Sequence, residues 1–322
     1  MVEIQKSDLI MITGGTGFLG HAVCKTLRND GYTNLLPLDS RQYDLRFTED
    51  ASLCMKAFQE TKIVAHLGAV VGGINGNRMS PGRFFHDNMI MGLNVIEQAR
   101  LSCKDLKKFI LISTTCAYPR DCPTPFIEEN LWNGRPEFTN WGYAESKRAL
   151  MCMLEMYRLQ YGFPGITLIP TNLYGNGDSL NVETNHVIPA IIIKFLKAKR
   201  DESPTVELWG DGSPTREFLY VDDCARGIVE AMKYYDKPEP VNLGNGIEIS
   251  IYDLAHMIKY KIGYAGEIVW NKDMPNGQPR RCLDVHRAFN EFGFTAETSL
   301  SEGLDITIED IKDRLTLQEV VL

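Results

Sequence analysis

Short apolar runs alternate with amphipathic stretches along the first half of the chain. The runs at Leu9–Thr13, Leu35–Leu38, Ile63–Leu67, Phe109–Ser113 and Ile166–Pro170 are apolar on successive positions. That pattern predicts parallel strands buried on both faces. Segments with the helical spacing lie between most of them, including 83–101 and 143–161. Right-handed crossovers would wind such a chain into a parallel sheet covered on both sides, with its ligand crevice beyond the carboxyl ends of the strands. Past about residue 175 the alternation becomes irregular, with helix-like runs near 186–199 and 223–234 and a short strand candidate at Val206–Trp209.

Thr13-Gly14-Gly15-Thr16-Gly17-Phe18-Leu19-Gly20 follows the first strand and opens a helix. In that context Gly14, Gly17 and Gly20 let a pyrophosphate approach backbone N–H groups at a helix N-terminus. The expectation is an α/β protein: a Rossmann-like doubly wound parallel sheet with a smaller C-terminal α/β substrate lobe. Residues 1–175 would form the dinucleotide-binding part, re-entered by part of 215–245, and 176–322 would form mainly the substrate lobe. Asp39, at the end of the second strand, suits the adenosine ribose of NAD(H) and would repel a 2′-phosphate. Arg41 could pair with that phosphate and so suits NADP(H), or it is an ordinary surface charge. Both cofactors stay open on these residues.

Composition narrows the partners. The chain has 322 residues, and 34 basic against 42 acidic side chains leave a formal charge of −8. No basic run tracks a phosphate backbone, so no nucleic acid partner is expected. Eight cysteines lie scattered without C-x-x-C pairs, and no signal peptide or long apolar span is evident. The reading is a reduced, cytoplasmic protein with no membrane partner and no metal.

Candidate chemistry clusters in three segments: Ser113–Pro119, Tyr143–Lys147 and Asn185–Pro189. Thr114, directly after the fourth strand, carries a hydroxyl at the crevice. Tyr143 and Lys147 share a helix face, so the lysine charge could lower the phenol pKa. Such a set can move a proton on an oxygen while hydride moves at its carbon. Cys116 and His186 could move protons on neighbouring carbons. Taken singly, they also read as a small core thiol and a surface histidine. Trp209 and Arg216 bracket the turn-rich Gly210–Thr215, offering an indole face for a base and a guanidinium for a diphosphate. Lys194 could add charge there.

These residues resemble the extended short-chain dehydrogenase/reductase superfamily. Within it they resemble the GDP-L-fucose synthase family, which carries out 3,5-epimerisation and 4-reduction of GDP-4-keto-6-deoxy-D-mannose. The resemblance runs from about residue 8 to 315, through the glycine loop, Val71–Asn75, Ser113–Pro119, Tyr143–Lys147, Pro170–Gly175, Asn185–Pro189, Leu208–Gly212 and Arg216–Asp223. It implies Thr114, Tyr143 and Lys147 as the reductase set, with Cys116 and His186 as epimerase base and acid. It implies cofactor contacts from Gly14, Thr16, Gly17, Phe18, Leu19, Gly20, Asp39, Arg41, Leu67, Ser113, Tyr143 and Lys147. Substrate contacts are implied for Asn172, Val187, Lys194, Trp209, Arg216, Asn276 and Arg281, with a GDP-linked 4-keto-6-deoxy sugar as partner. NADP(H) is favoured and NAD(H) is the alternative.

A homodimer through helices 83–101 and 143–161 is implied as well. Departures from the family pattern are Thr114 for serine, Asn276 for aspartate, Thr16 where some members carry arginine, and Asp39. They leave room for a related GDP-linked hexose or heptose epimerase or C4-reductase. Thr115-Cys116 replaces the Asp-Glu pair of 4,6-dehydratases, and a catalytically silent dinucleotide sensor would need none of the five acid/base groups.

Overall fold

In the computed structural model, which describes residues 3–181, 186–274 and 276–321, the predicted strands assemble into one parallel sheet. Asn185 and Pro275 lie outside the described residues. Strands β1 (Ile10–Thr13), β2 (Leu35–Leu38), β3 (Ile63–His66), β4 (Lys108–Ile112) and β5 (Gly165–Pro170) pair in the order β2-β1-β3-β4-β5. Every position of β1, β3, β4 and β5 is buried, which is why these strands read as continuous apolar runs rather than alternating ones. Strand order reverses between β1 and β3, and the crevice opens there.

The remaining strands are β6 (Asn172–Tyr174), β7 (Thr205–Trp209), β8 (Thr215–Tyr220), β9 (Val241–Leu243), β10 (Glu248–Ser250), β11 (Glu267–Asn271) and β12 (Arg280–Arg281). β9 lies parallel to β5 and ends the main sheet. β8 is the centre of a second sheet, flanked by antiparallel β10 and parallel β12, with β6 also beside it, while β7 and β11 pair separately.

The helices are α1 (Phe18–Asn29), α2 (Thr48–Ala57), α3 (Ile74–Met79), α4 (Pro81–Ser102), α5 (Trp141–Tyr161), α6 (Val187–Arg200), α7 (Val221–Tyr234), α8 (Ile251–Ile262), α9 (His286–Phe292) and α10 (Leu300–Val321). α1, α7 and α9 close one face of the main sheet through Val23, Leu27, Ile228, Met232 and Phe292. α2, α4 and α5 close the other through Met55, Val95, Ile96, Leu150 and Leu154. A separate cluster, built on Ile192, Phe195, Phe218, Leu254, Ile258 and Leu304, joins α6, α8 and α10 to the second sheet. Glu217 ties the two parts together. Its fully buried carboxylate accepts from the N–H groups of Asn245 (2.6 Å), Gly246 (2.8 Å) and Leu283 (2.8 Å). Three backbone donors satisfy a charge that burial alone would disfavour, and they fix the segment that carries β12.

Candidate functional site

Two clefts meet beyond the carboxyl ends of β1, β3 and β4. One, of about 350 Å³, runs over the glycine loop; the other, of about 670 Å³, runs under α6 and the second sheet. Gly72, Cys116, Asn140, Asn172 and His186 line both.

The smaller cleft is shaped by backbone. Gly14 has φ +67°, and a Cβ there would sit 2.9 Å from the Gly68 nitrogen. At Gly20 a Cβ would meet the Gly14 carbonyl oxygen at 2.2 Å. Only glycine lets this turn lie flat against the start of α1. That helix end has no side-chain cap and no acidic residue in its first turn, so its positive end is open to an anion. Phe18, Leu19, Leu67 and Ser113 line the cleft, and the Ser113 hydroxyl is buried without a hydrogen-bond partner among the described residues. A flat glycine cradle, an uncapped helix end and an orphaned hydroxyl together fit a dinucleotide.

Thr16, Asp39 and Arg41 do not line the cleft but cluster beside it. The Asp39 carboxylate accepts from Arg41 Nε (2.9 Å) and Nη2 (2.6 Å), from the Arg41 backbone N–H (2.8 Å) and from the Thr16 hydroxyl (3.2 Å). These bonds, chiefly those from Arg41, hold the carboxyl well below the usual range. The residues that argue for opposite cofactors thus neutralise one another.

At the junction, Thr114 lies two residues beyond β4 and its hydroxyl accepts from the Cys116 N–H at 3.2 Å, forming the turn that carries the sulfur. Tyr143 and Lys147 come from the first turns of α5. Burial, then the nearby Cys116 charge, raises the Tyr143 pKa, with a hydrogen bond from Thr114 opposing. Against the expectation of a lowered phenol pKa the net direction is upward, because burial dominates. The ammonium donates to the Ile112 carbonyl at 2.9 Å and lies 6.0 Å from the phenol ring centroid. Helical spacing brought the two side chains to one face, where the charge stands near the ring while the Ile112 carbonyl holds the ammonium. Burial pushes Lys147 itself down to about 8. The phenol is therefore a proton donor at neutral pH, beside a lysine that still carries most of its charge.

His186 is the exposed N-cap of α6. Sequence reasoning missed Asp178, which is buried with one carboxylate oxygen unpartnered among the described residues; burial raises its pKa and the His186 charge opposes that. No spacing rule connects a loop carboxylate to a helix cap across an irregular segment.

Asn172, Val187, Lys194, Trp209, Arg216, Asn276 and Arg281 all line the larger cleft. Lys194 donates to the Glu207 carbonyl (2.9 Å) and Arg216 to the Thr215 carbonyl (2.7 Å). Asn276 accepts from the Asp211 N–H (3.0 Å), pinning the turn after Trp209. Arg216 and Arg281 are register partners on β8 and β12, so two guanidiniums stand side by side. Burial, then the Arg281 charge, lowers Arg216 to about 10. Among the described residues neither forms an ion pair with a carboxylate, an arrangement that suits a multiply charged anion. Gln278, Ile251 and Asn140 also line the cleft and carried no sequence signal. Among the described residues no cluster of metal-ligating side chains exists and no helix is long and apolar enough to cross a membrane.

The NAD dependent epimerase/dehydratase family matches residues 10–244. "Putative GDP-L-fucose synthase 2" of Arabidopsis thaliana is 37% identical over 95% of this chain and 92% of its own length. "GDP-L-fucose synthase" of Escherichia coli (strain K12) is 33% identical over 93% and 95%. Among solved structures, a GDP-6-OMe-4-keto-L-xylo-heptose reductase from C. jejuni superposes with a TM-score of 0.91 at 26% identity, covering 97% of this chain and 100% of that one. A GDP-L-fucose synthetase from Naegleria fowleri bound to NADP gives 0.87 at 27%, covering 98% and 97%. A glycine-cradled cleft opening onto Thr114, Tyr143 and Lys147, with these matches across nearly the whole chain, makes it a member of the NAD dependent epimerase/dehydratase family.

Proposed function

We propose that the protein converts GDP-4-keto-6-deoxy-D-mannose to GDP-L-fucose, by epimerisation at C3 and C5 and NADP(H)-dependent reduction at C4. The observation that carries this reading is the junction. Cys116 and His186 face both clefts, while Thr114, Tyr143 and Lys147 line the smaller one. A sugar seated there has its C4 carbonyl toward the hydroxyl pair and its C3 and C5 protons toward the thiol and imidazole.

The C4 carbonyl acidifies the neighbouring protons. Cys116 takes a proton, the electron pair moves onto the C4 oxygen, and His186 returns a proton to the opposite face. Thr114 and Tyr143 donate hydrogen bonds to the enolate oxygen, as in an oxyanion hole. When bound, NADP(H) supplies hydride for C4. Tyr143 protonates the resulting alkoxide, and Lys147 stabilises the phenolate that remains. Gly14, Gly17, Gly20 and Ser113 hold the dinucleotide and Arg41 its 2′-phosphate, with NAD(H) accepted less well. Trp209, Arg216 and Lys194 hold the GDP part, and Asn172, Val187, Asn276 and Arg281 the region around the sugar.

The C. jejuni heptose reductase, with the highest TM-score quoted above, supports a second reading, a C4-reductase of a GDP-linked 4-keto heptose. The higher identity to the fucose synthases favours the first. Free cysteines throughout the described residues suit the cytoplasm. Exposed Phe85, Leu101, Met156 and Leu159 on α4 and α5 suit a homodimer face.

The deciding experiment incubates the protein with GDP-4-keto-6-deoxy-D-mannose in D2O, with NADPH, NADH or neither. It follows cofactor oxidation together with deuterium at C3 and C5. Deuterium at both positions and formation of GDP-L-fucose are expected. Reduction without exchange would move the assignment to the C4-reductase, and no reaction would reject this substrate.

A further inference from the structure

Cys116 has a cationic neighbour that the acid/base assignment leaves unused. Nη1 of Arg281 donates to its sulfur at 3.4 Å. The residue is 8% exposed, and its guanidinium is held from behind by one neutral acceptor. Gln278 Oε1 takes Nε at 3.2 Å and Nη2 at 3.0 Å. Gln278 is 7% exposed and is anchored in turn by its Nε2, which donates to the Arg120 carbonyl at 2.8 Å. The result is a relay from backbone through amide and guanidinium to sulfur.

Charge decides what that relay is for. Among the described residues no carboxylate pairs with Arg281, and its charged neighbour across the strand pair is Arg216, of the same sign. A guanidinium this buried needs a counter-ion, and the only anion the contact provides is the Cys116 sulfur once ionised. An amide at position 278 orients the guanidinium without cancelling its charge; a carboxylate there would do both.

We propose that Arg281 is a catalytic residue of the proton transfers at C3 and C5, stabilising the anionic sulfur of Cys116, and that Gln278 is the positioning residue that aims it. This rests on the reading of Cys116 as the base. In each transfer a C–H bond breaks, an S–H bond forms and the electron pair passes to the C4 oxygen; His186, as imidazolium, then protonates the carbon, and exchange with solvent resets both groups. The two arginines of the strand pair divide their work, Arg281 to the sulfur and Arg216 to the diphosphate.

The test needs no sugar. Alkylation of Cys116 by iodoacetamide in the full chain at pH 7, followed by mass spectrometry of its peptide, reads the anionic sulfur directly. The unsubstituted chain, treated in parallel under the same conditions, serves as the reference. Arg281→Met and Gln278→Glu should each slow Cys116 alkylation about tenfold relative to the unsubstituted chain, whereas Arg281→Lys, which keeps the charge, should retain most of the rate. Native alkylation rates in Arg281→Met overturn the proposal. Should that variant not fold, Gln278→Glu decides in the same way. Deuterium wash-in then separates the two readings. If alkylation responds but the GDP-4-keto sugar is not turned over, the substrate reading falls and the relay stands. If the sugar exchanges at native rates in both variants, the relay falls and the substrate reading stands.

Discussion

The two clefts that meet at Cys116 bind by different means. The smaller relies on backbone geometry: glycines that admit no Cβ, an uncapped helix end, one orphaned hydroxyl and apolar walls. The larger relies on cationic side chains, Lys194, Arg216 and Arg281, whose hydrogen bonds go to carbonyls, an amide and a sulfur rather than to carboxylates. Elsewhere arginines and lysines are commonly paired, as in Arg46 with Asp44 and Lys107 with Asp8. In a chain of net charge −8, cations left unneutralised around one cleft concentrate positive potential there. A cradle built of backbone suits a cofactor that must enter and leave each turnover, and one built of charged side chains suits a diphosphate held while several protons move.

The comparison separates the reactions, so it can be broken one cleft at a time. Tyr143→Phe carries the largest expected effect: C4 reduction should fall about 10²- to 10⁴-fold, the usual worth of a positioned acid. Deuterium exchange at C3 and C5 should slow less, because Cys116 and His186 still carry its protons and Thr114 remains to hold the enolate oxygen. Parallel loss of exchange, measured by mass spectrometry of the recovered sugar, would mean that the two chemistries share one acid.

Arg216→Met comes next. Losing one charge-assisted contact of about 1.5–3 kcal/mol should raise KM for the sugar nucleotide roughly 10- to 100-fold. NADPH affinity by fluorescence titration should not change. A matching loss of cofactor affinity would show the clefts to be one site energetically.

How far the chain could be read in advance follows the same division. The glycine loop was legible because Gly14 and Gly20 answer a local backbone demand that recurs wherever a strand turns into a phosphate-binding helix. The strands were legible because burial on both faces leaves apolar runs. Gln278 was not, since its role depends on β12, a two-residue strand with no periodicity, lying in parallel register with β8. The direction of the Tyr143 shift was misread because a four-residue spacing shows a lysine on the same helix face but not the burial that raises the phenol pKa.

Lys147 adds a pH dependence confined to one cleft. Its folded pKa of about 8 lies below the ordinary 10.5, so the ammonium is lost as pH rises through about 8. Hydride transfer, measured by single-turnover NADPH oxidation, should decline over that window. The sign for stability is opposite: burial disfavours the charged form, so this group's contribution to stability rises with pH between about 8 and 10.5. A rate that falls while the chain becomes no less stable distinguishes titration of Lys147 from alkaline unfolding.

The smallest effect concerns the pair beside the smaller cleft. Asp39 alone would repel a 2′-phosphate; bound to Arg41 through two side-chain bonds, it presents little net charge. Arg41 is 87% exposed, so it can turn to a phosphate at small cost. Arg41→Ala should expose the carboxylate and lower the NADPH-to-NADH ratio of kcat/KM about tenfold, one charge-assisted contact at a solvated site. Asp39→Asn, which removes the repulsion and leaves the guanidinium free, should move the ratio the other way. If both variants leave it unchanged, the pair is a surface ion pair only, and discrimination between the cofactors comes from the glycine loop, where Thr16 stands in the place some relatives give to arginine.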